Sequence, residues 1–225
     1  MAPKEYALIV AGGKGTRIKN SLPKQFIELN GKPVLLHTLE AFFKYSQNIT
    51  VILVLPEENF SIWEQICKKF NFTKPFILQK GGASRFESVR NGLDKIEDNG
   101  LVAIHDGVRP LVSEALIGAS FRHAAIHRSA VAAVPLKESL RIKDQDHTKA
   151  VDRGLYHQIQ TPQTFDIQLI KKAYQTKEDP SLTDDASVAE KAGHVISLFE
   201  GSFENIKITT LEDLVIAEAL LKQKS

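Results

Sequence analysis

The sequence has almost no cysteine and no long apolar run. Cys67 is the only cysteine among 225 residues, so no disulfide can form within the chain and a reducing compartment is expected. No stretch approaches the roughly 18 consecutive apolar residues that a membrane span needs. The apolar run at 7–11 is short and is followed by Gly12 and Gly13 rather than by a cleavage site, which is not typical of a secretory signal. We therefore expect a cytoplasmic protein that does not enter a membrane.

A large excess of one charge is also missing. The chain has 29 basic and 27 acidic residues, which gives a formal net charge of only +2. So small an excess gives no reason to expect a nucleic-acid partner, and an anion site must come from local clustering. With 43% hydrophobic residues the chain can bury a sizeable core, and we expect residues 1–225 to form a single domain.

Apolar runs alternate with helical patterns along most of the chain. The runs at 6–11, 50–55, 75–78, 101–105 and 130–134 are short and apolar on both faces, which is typical of buried parallel strands. Helical spacing is clearest in the stripe Phe86, Val89, Leu93 and Ile96. Further stripes follow Pro33, expected in the first turn of its helix, Ser113, expected as an N-cap, and the capping box at 210–213. The segment 183–187 is typical of another helix start, with Thr183 or Ser181 as its cap. The pattern predicts an α/β fold with a mostly parallel, twisted sheet flanked by helices.

The alternation of strand and helix patterns is interrupted between about 136 and 160. Residues 139–143 and 149–152 alternate between apolar and polar, and the segment Asp144–Asp146 between them is typical of a turn. This pattern predicts a β-hairpin arm inserted into the α/β body.

The segment after the first strand is rich in glycine and in positive charge. Gly12, Gly13 and Gly15 let a backbone approach a ligand closely. Four basic residues and no acidic one lie between Gly12 and Gln25: Lys14, Arg17, Lys19 and Lys24. A solvated basic turn would look similar, but a polyphosphate is the ligand that such a loop favours. Two common phosphate loops do not fit, because a dinucleotide fingerprint needs glycine where Ile18 stands and a Walker A loop needs Ser or Thr where Gly15 stands.

Two further motifs follow predicted strands. In His105–Pro110, Asp106 is placed to hold Mg²⁺ or a substrate hydroxyl and Arg109 to bind phosphate, with an ordinary ion pair as the alternative. The segment Gly81–Arg85 lies between a strand and a helix, so Ser84 is also expected as an N-cap.

These motifs resemble those of a known family. The pattern Ala-Gly-Gly-x-Gly-x-Arg at 11–17, with Pro-Lys-Gln-Phe at 23–26, is similar to the signature of nucleotidyltransferases that join a nucleoside triphosphate to a phosphorylated alcohol or sugar. With the motif at 105–110, the likeness is strongest to the 2-C-methyl-D-erythritol 4-phosphate cytidylyltransferase family and extends over 7–221. The resemblance implies a fold like that of the nucleotide-diphospho-sugar transferases, CTP and a polyol phosphate as substrates, and a homodimer formed through the β-arm.

The resemblance also implies a role for particular residues. Arg17 and Lys24 are expected to be catalytic, acting on the triphosphate and on the charge that develops at the α-phosphorus. The nucleotide is expected at Ala11, Gly12, Gly13, Gly15, Gly82, Ala83 and Ser88. The acceptor phosphate and its hydroxyls are expected at Asp106, Arg109, Ser139, Arg153, Thr161, Thr183 and Lys207. Arg153 would reach the partner's site, and Mg²⁺ would be held by Asp106.

Two departures and three alternatives accompany the resemblance. Ser139 stands where threonine is frequent, which keeps the hydroxyl, and Glu204 stands where aspartate is frequent, so Glu204 is given no role. A D-ribitol 5-phosphate cytidylyltransferase would use the same chemistry. A non-catalytic nucleotide-binding regulatory subunit would be expected to lose Arg17 and Lys24, which this chain keeps. A glycosyltransferase would use Asp144 and Asp146 as metal ligands.

Overall fold

The computed structural model describes residues 3–13 and 22–223. Within these ranges the chain forms strands and helices with the following bounds. The strands are β1 Glu5–Val10, β2 Glu28–Leu29, β3 Lys32–Pro33, β4 Thr50–Leu55, β5 Ile77–Lys80, β6 Leu101–Asp106, β7 Ser129–Pro135, β8 Leu140–Asp144, β9 His147–Val151, β10 His157–Asp166 and β11 Leu198–Glu200. The helices are α1 Val34–Tyr45, α2 Phe60–Lys69, α3 Arg85–Leu93, α4 Glu114–His127, α5 Ile167–Ala173, α6 Asp185–Lys191 and α7 Leu211–Gln223.

Seven strands form the main sheet, in the order β11-β7-β10-β6-β1-β4-β5. The pairs β6/β1, β1/β4, β4/β5 and β11/β7 are parallel, whereas β10 runs antiparallel to both β6 and β7. The predicted α/β fold with a mostly parallel sheet is confirmed. The antiparallel β10 was not foreseen, because its polar residues gave no continuous apolar run.

Helices cover both faces of the sheet. Ala7 and Ile9 of β1 belong to the core cluster that also contains residues of α1 and α4, whereas Leu8 and Val10 belong to the cluster around α3. Because both faces are buried, β1 is apolar at consecutive positions. Helix α3 lies so close to β1 that a Cβ on Gly92 would stand 2.2 Å from Leu8 Cδ1.

The caps predicted from the sequence are correct at some helix starts and wrong at others. Ser113 caps α4 by accepting from the Leu116 amide at 3.1 Å, as predicted. For α6 the predicted caps, Thr183 or Ser181, were wrong. Asp184 is the cap, and its carboxylate accepts from the Ser187 amide at 2.9 Å. Pro33 stands just before α1, in β3, rather than in the first turn of the helix.

The inserted arm is present as a hairpin. Strands β8 and β9 form a two-stranded antiparallel sheet, and Gln145 turns the chain with φ +47°. The hairpin spans 140–151, and residues from 157 onward already pair with β7 in the main sheet. It is therefore shorter than the predicted arm of about 136–160. Among the helices of the described residues, none has the length and apolar character needed to span a membrane.

Candidate active site

A cavity of about 720 Å³ opens where β1, β4, β5 and β6 end. The carboxyl ends of parallel strands are where open α/β sheets bind ligands, since the strand-to-helix loops converge there. Nine residues predicted for the site line this cavity: Ala11, Gly12, Gly13, Lys24, Gly82, Ala83, Ser88, Asp106 and Lys207. They come from five separate segments of the chain, which the topology brings together.

The other predicted residues lie elsewhere. Arg17 and Gly15 fall outside the described residues. Arg109 and Thr161 are buried next to Asp106 and do not line the cavity. The remaining three are exposed and also do not line it: Ser139, Arg153 and Thr183.

The segment that carries Lys24 is fixed against the start of the glycine loop. Gln25 is 1% exposed, and its Nε2 donates to the Ala11 carbonyl at 2.9 Å. The Ala11 amide in turn donates to the Val54 carbonyl at 3.0 Å. A Cβ on Gly13 would lie 3.7 Å from Lys24 Cε, so the lysine stem passes directly over the glycine. The strand end therefore positions both the loop and the lysine.

The opposite wall of the cavity is the turn between β5 and α3. Ser88 Oγ donates to the Ser84 carbonyl at 2.8 Å and accepts from the Gly82 amide at 3.0 Å. The Ala83 amide donates to Glu87 Oε2 at 2.8 Å, and Ser84 caps α3, as predicted. Because these amide hydrogens and the Ser88 proton already have acceptors, Ser88 faces a ligand as a hydrogen-bond acceptor.

Glycine is required at 82 for lack of space. A Cβ there would stand 2.3 Å from Glu87 Cβ. Gly82 thus lets the chain pass tightly over the first turn of α3.

Asp106 lies at the centre of a cluster of positive charges. Its Oδ2 is 2.9 Å from Lys207 Nζ and 3.3 Å from Arg109 Nε, and its Oδ1 is 3.9 Å from Arg85 Nε. Burial alone would raise the pKa of Asp106, but the positive charges of Lys207, Arg85 and Arg109 together outweigh it and hold that pKa below its ordinary value. Asp106 is therefore an ionised acceptor at neutral pH.

Buried polar contacts hold this cluster from behind. The Asp106 amide donates to Thr161 Oγ1 at 3.1 Å, and the same hydroxyl lies 3.0 Å from His105 Nδ1. Asn205 Nδ2 donates to the Thr161 carbonyl at 2.7 Å, and the Asn205 carbonyl accepts from Arg109 Nη1 at 2.8 Å. Thr161 therefore supports Asp106 from within the protein.

Residues that the sequence did not reveal complete the cluster. Arg85 lines the cavity and makes a two-pronged ion pair with Asp185, at 2.9 and 2.6 Å. The Tyr174 hydroxyl donates to Asp185 at 2.6 Å. Arg85 and Asp185 are 100 positions apart, so no local pattern links them. The available signal was that each stands in a motif already noted, at 81–85 and 183–187.

The alternative metal sites have no support in the geometry. Asp144 and Asp146 are exposed in the hairpin and do not line the cavity. Over 3–13 and 22–223, no group of three or more His, Cys, Asp or Glu side chains is arranged to hold a metal ion. Asp106 is left as the predicted ligand for Mg²⁺.

Comparison with known proteins places the chain in a family. Residues 6–223 match the family model described as 2-C-methyl-D-erythritol 4-phosphate cytidylyltransferase. The enzyme of that name from Bacteroides fragilis is 45% identical over 215 residues, which are 96% of this chain and 98% of the relative. The enzyme of the same name from Bacteroides thetaiotaomicron is 46% identical over 218 residues, which are 97% of this chain and 100% of that relative.

Solved structures agree with this match. The 4-diphosphocytidyl-2C-methyl-D-erythritol synthase of Anaerococcus prevotii superposes with a TM-score of 0.84 at 29% identity, covering 98% of this chain and 96% of that one. The 2-C-methyl-D-erythritol 4-phosphate cytidylyltransferase of Thermus thermophilus superposes with a TM-score of 0.76 at 28% identity, covering 99% of this chain and 100% of that one. The chain therefore belongs to the 2-C-methyl-D-erythritol 4-phosphate cytidylyltransferase family.

Proposed function

We propose that the protein is a nucleotidyltransferase that joins CTP to 2-C-methyl-D-erythritol 4-phosphate, giving 4-diphosphocytidyl-2-C-methyl-D-erythritol and pyrophosphate in the non-mevalonate route to isoprenoids. The observation that carries the proposal is a cavity that combines two kinds of charged wall, in a chain of this family. One wall is a glycine loop with Lys24, and another is a buried carboxylate surrounded by cations.

The reaction needs no protein nucleophile. A phosphate oxygen of the acceptor attacks the α-phosphorus of CTP and forms the new P–O bond. The bond between the α-phosphorus and the oxygen bridging to the β-phosphorus breaks, and its electron pair leaves with pyrophosphate. Catalysis then consists of positioning and of neutralising phosphate charge. Lys24 supplies one positive charge at the glycine loop, and Arg17 is assigned the second.

Selection of cytosine follows from the hydrogen-bonding state of Ser88. Its proton is donated to the Ser84 carbonyl, so its oxygen is left to accept. Cytosine offers an exocyclic amino donor where uracil has a carbonyl acceptor. An acceptor-only Ser88 oxygen therefore favours CTP over UTP.

The acceptor is assigned to the side of the cavity that holds Asp106 and Lys207. An ionised carboxylate accepts hydrogen bonds from polyol hydroxyls, and Lys207 attracts the phosphate.

Mg²⁺ fits this site as an ion held mainly by substrate. Asp106 Oδ2 is already paired with Lys207 and Arg109, whereas Oδ1 lies 3.9 Å from Arg85 Nε. Mg²⁺ commonly takes one carboxylate, substrate phosphates and water as ligands. When bound, it neutralises triphosphate charge and assists the departure of pyrophosphate.

A homodimer through the hairpin region is part of the proposal. Large apolar side chains are exposed at Ile142, Leu155 and Tyr156, with 53%, 79% and 41% of their surface accessible. Arg153 lies beside them and is assigned to the partner's acceptor site. Sedimentation equilibrium tests this assembly. A dimer that Leu155→Ser weakens is expected, and a monomer with full activity would contradict it.

The substrate assignment is tested by pyrophosphate release. With Mg²⁺ and CTP, methylerythritol phosphate should support release and ribitol 5-phosphate should not, and UTP, GTP and ATP should be poor replacements for CTP. A preference for ribitol 5-phosphate would leave the proposed reaction type standing but would contradict the assignment of methylerythritol phosphate as the acceptor. CTP binding without any release would indicate a regulatory subunit.

A further inference from the structure

We infer that Asp185 is a positioning residue of the acceptor site: it holds the Arg85 guanidinium away from Asp106, so that one carboxylate oxygen of Asp106 stays available to substrate. This inference rests on the proposed function and adds to it a residue that does not line the cavity.

Arg85 stands at an unusual place for a positive charge. It is the first residue of α3, where the helix dipole disfavours a cation. Its side chain is 30% exposed and lines the cavity, and its Nε is 3.9 Å from Asp106 Oδ1. That distance is too long for a hydrogen bond but short enough for strong attraction. Another interaction must therefore keep the guanidinium from closing onto Asp106.

Asp185 provides that interaction. Both of its oxygens accept from the two terminal nitrogens of Arg85, at 2.9 and 2.6 Å, in the planar geometry that arginine favours with a carboxylate. Asp185 is fully buried, so it has no water with which to replace this partner. The pair is consequently fixed in one arrangement.

Asp185 is itself held in place by its surroundings. The Tyr174 hydroxyl donates to Oδ1 at 2.6 Å. Gln163 holds the start of α6 on both sides, accepting from the Ala186 amide and donating to Asp184, each at 2.9 Å. The anchor for Arg85 is therefore a rigid element of the fold.

The consequence appears when the anchor is removed. In Asp185→Asn the side chain keeps its shape but loses its charge, and Asp106 becomes the nearest carboxylate to Arg85. Closure of Arg85 onto Oδ1 would occupy the oxygen that the acceptor needs. Loss of an outer partner that orients a metal-binding side chain costs about 10- to 100-fold, and by analogy we expect the KM for methylerythritol phosphate to rise by about 10- to 100-fold. The KM for CTP should change little.

The decisive test is rescue by a second substitution. If the released arginine blocks Asp106, then combining Asp185→Asn with Arg85→Gln should reverse much of the rise in acceptor KM that Asp185→Asn causes alone. If the pair only stabilises the fold, the double variant should be no better than the single one, and that result would overturn the inference.

Asp166→Asn is the matched control. Asp166 also stands at the start of a helix and pairs with an arginine, Arg128 at 3.2 Å, but Arg128, unlike Arg85, does not line the cavity. Its substitution should leave both KM values at wild-type level.

If Asp185→Asn does not fold, Arg85→Lys takes its place, because one ammonium cannot bridge both oxygens in the same plane. An unchanged acceptor KM in Arg85→Lys would contradict the inference. A wild-type enzyme without turnover would refute the proposed function, whereas an active wild type with an unaffected Asp185→Asn would refute only this inference.

Discussion

The cavity and the hairpin both carry residues expected to bind substrate, but the chain holds them in different ways. Around Asp106, Lys207 and Arg85 come from other parts of the chain and Arg109 from the same turn, and the carboxylate itself is buried. In the hairpin, Arg141 donates to Thr148 of the facing strand, and just after the hairpin Arg153 donates to the carbonyl of the exposed Lys137. One folded chain is therefore enough to arrange the cavity, whereas the residues in and after the hairpin would contact substrate only where another surface meets them.

Lys24→Ala is expected to have the largest effect. Losing one preorganised charge at a transferring phosphate costs on the order of 10²–10³ in kcat, with the fold unchanged. Steady-state kinetics and circular dichroism would measure both. Lys69→Ala is the control, since Lys69 pairs with Glu28 outside the cavity and is exposed. Near-normal turnover of Lys24→Ala would remove this lysine from the mechanism.

Asp106→Asn compares the two regions by stability. It leaves the buried Arg109 without its carboxylate partner, and the more exposed Lys207 loses the same partner, which should lower the free energy of unfolding by on the order of 3 kcal/mol. The matched variant Asp144→Asn in the exposed hairpin should stay within about 0.5 kcal/mol of wild type. Urea unfolding monitored by tryptophan fluorescence gives both numbers. Equal effects would mean that the Asp106 cluster is no more organised than the hairpin.

Arg153→Ala should show the opposite pattern, with stability unchanged and binding of the acceptor weakened. Its only described hydrogen bond is to an exposed carbonyl, so stability should not change. The acceptor KM should nevertheless rise about 10-fold if Arg153 contacts the substrate phosphate of a partner, as a charge-assisted bond implies. Arg141→Ala, which loses only contacts within the hairpin, is the control. Identical acceptor KM values for the two variants would argue against the proposed reach across a dimer.

His105 makes the cavity region sensitive to acid. Burial lowers the pKa of His105 to about 3 despite the opposing attraction of Asp106, and the unfolded value is about 6.5. Between those values the unfolded chain binds a proton that the folded chain does not, so stability falls as pH falls through this window. Burial lowers the pKa of His37 in the same direction. Below about pH 5 Asp106 adds to this loss, because its pKa is held below the unfolded value of about 3.9 and the unfolded carboxyl takes up protons that the folded one does not.

Unfolding free energies at pH 7, 6, 5 and 4 would measure this dependence. The slope of the free energy of unfolding against pH should reach up to about 1.4 kcal/mol per pH unit for each histidine whose pKa burial lowers. It should persist in His147→Gln, whose histidine is exposed in the hairpin. A stability that does not change over this range would show that His105 is protonated in the folded state.

The sequence predicted most of what local chemistry determines. The apolar run of β1, the glycines after it and the pair Asp106 and Arg109, three positions apart, were recognisable because neighbours along the chain carry the signal. The ion pair considered as the alternative role for Asp106 and Arg109 does form, and it lies at the edge of the cavity.

The rest depends on contacts that are distant in sequence. Arg85 meets Asp185 across 100 positions, and Thr161 meets Asp106 across 55. The caps of α6 were misassigned because Ser181, Thr183 and Asp184 all have the chemistry of a cap, and only the packed backbone selects among them.

The most direct test of the central claim is a ³¹P NMR time course of wild-type protein with CTP, methylerythritol phosphate and Mg²⁺. Signals of a pyrophosphate diester and of free pyrophosphate should grow in equal amounts as the acceptor monoester signal disappears. Lys24→Ala should show neither signal over the same period. Release of pyrophosphate from CTP with the acceptor monoester unchanged, or no change in any signal, would contradict the proposed reaction.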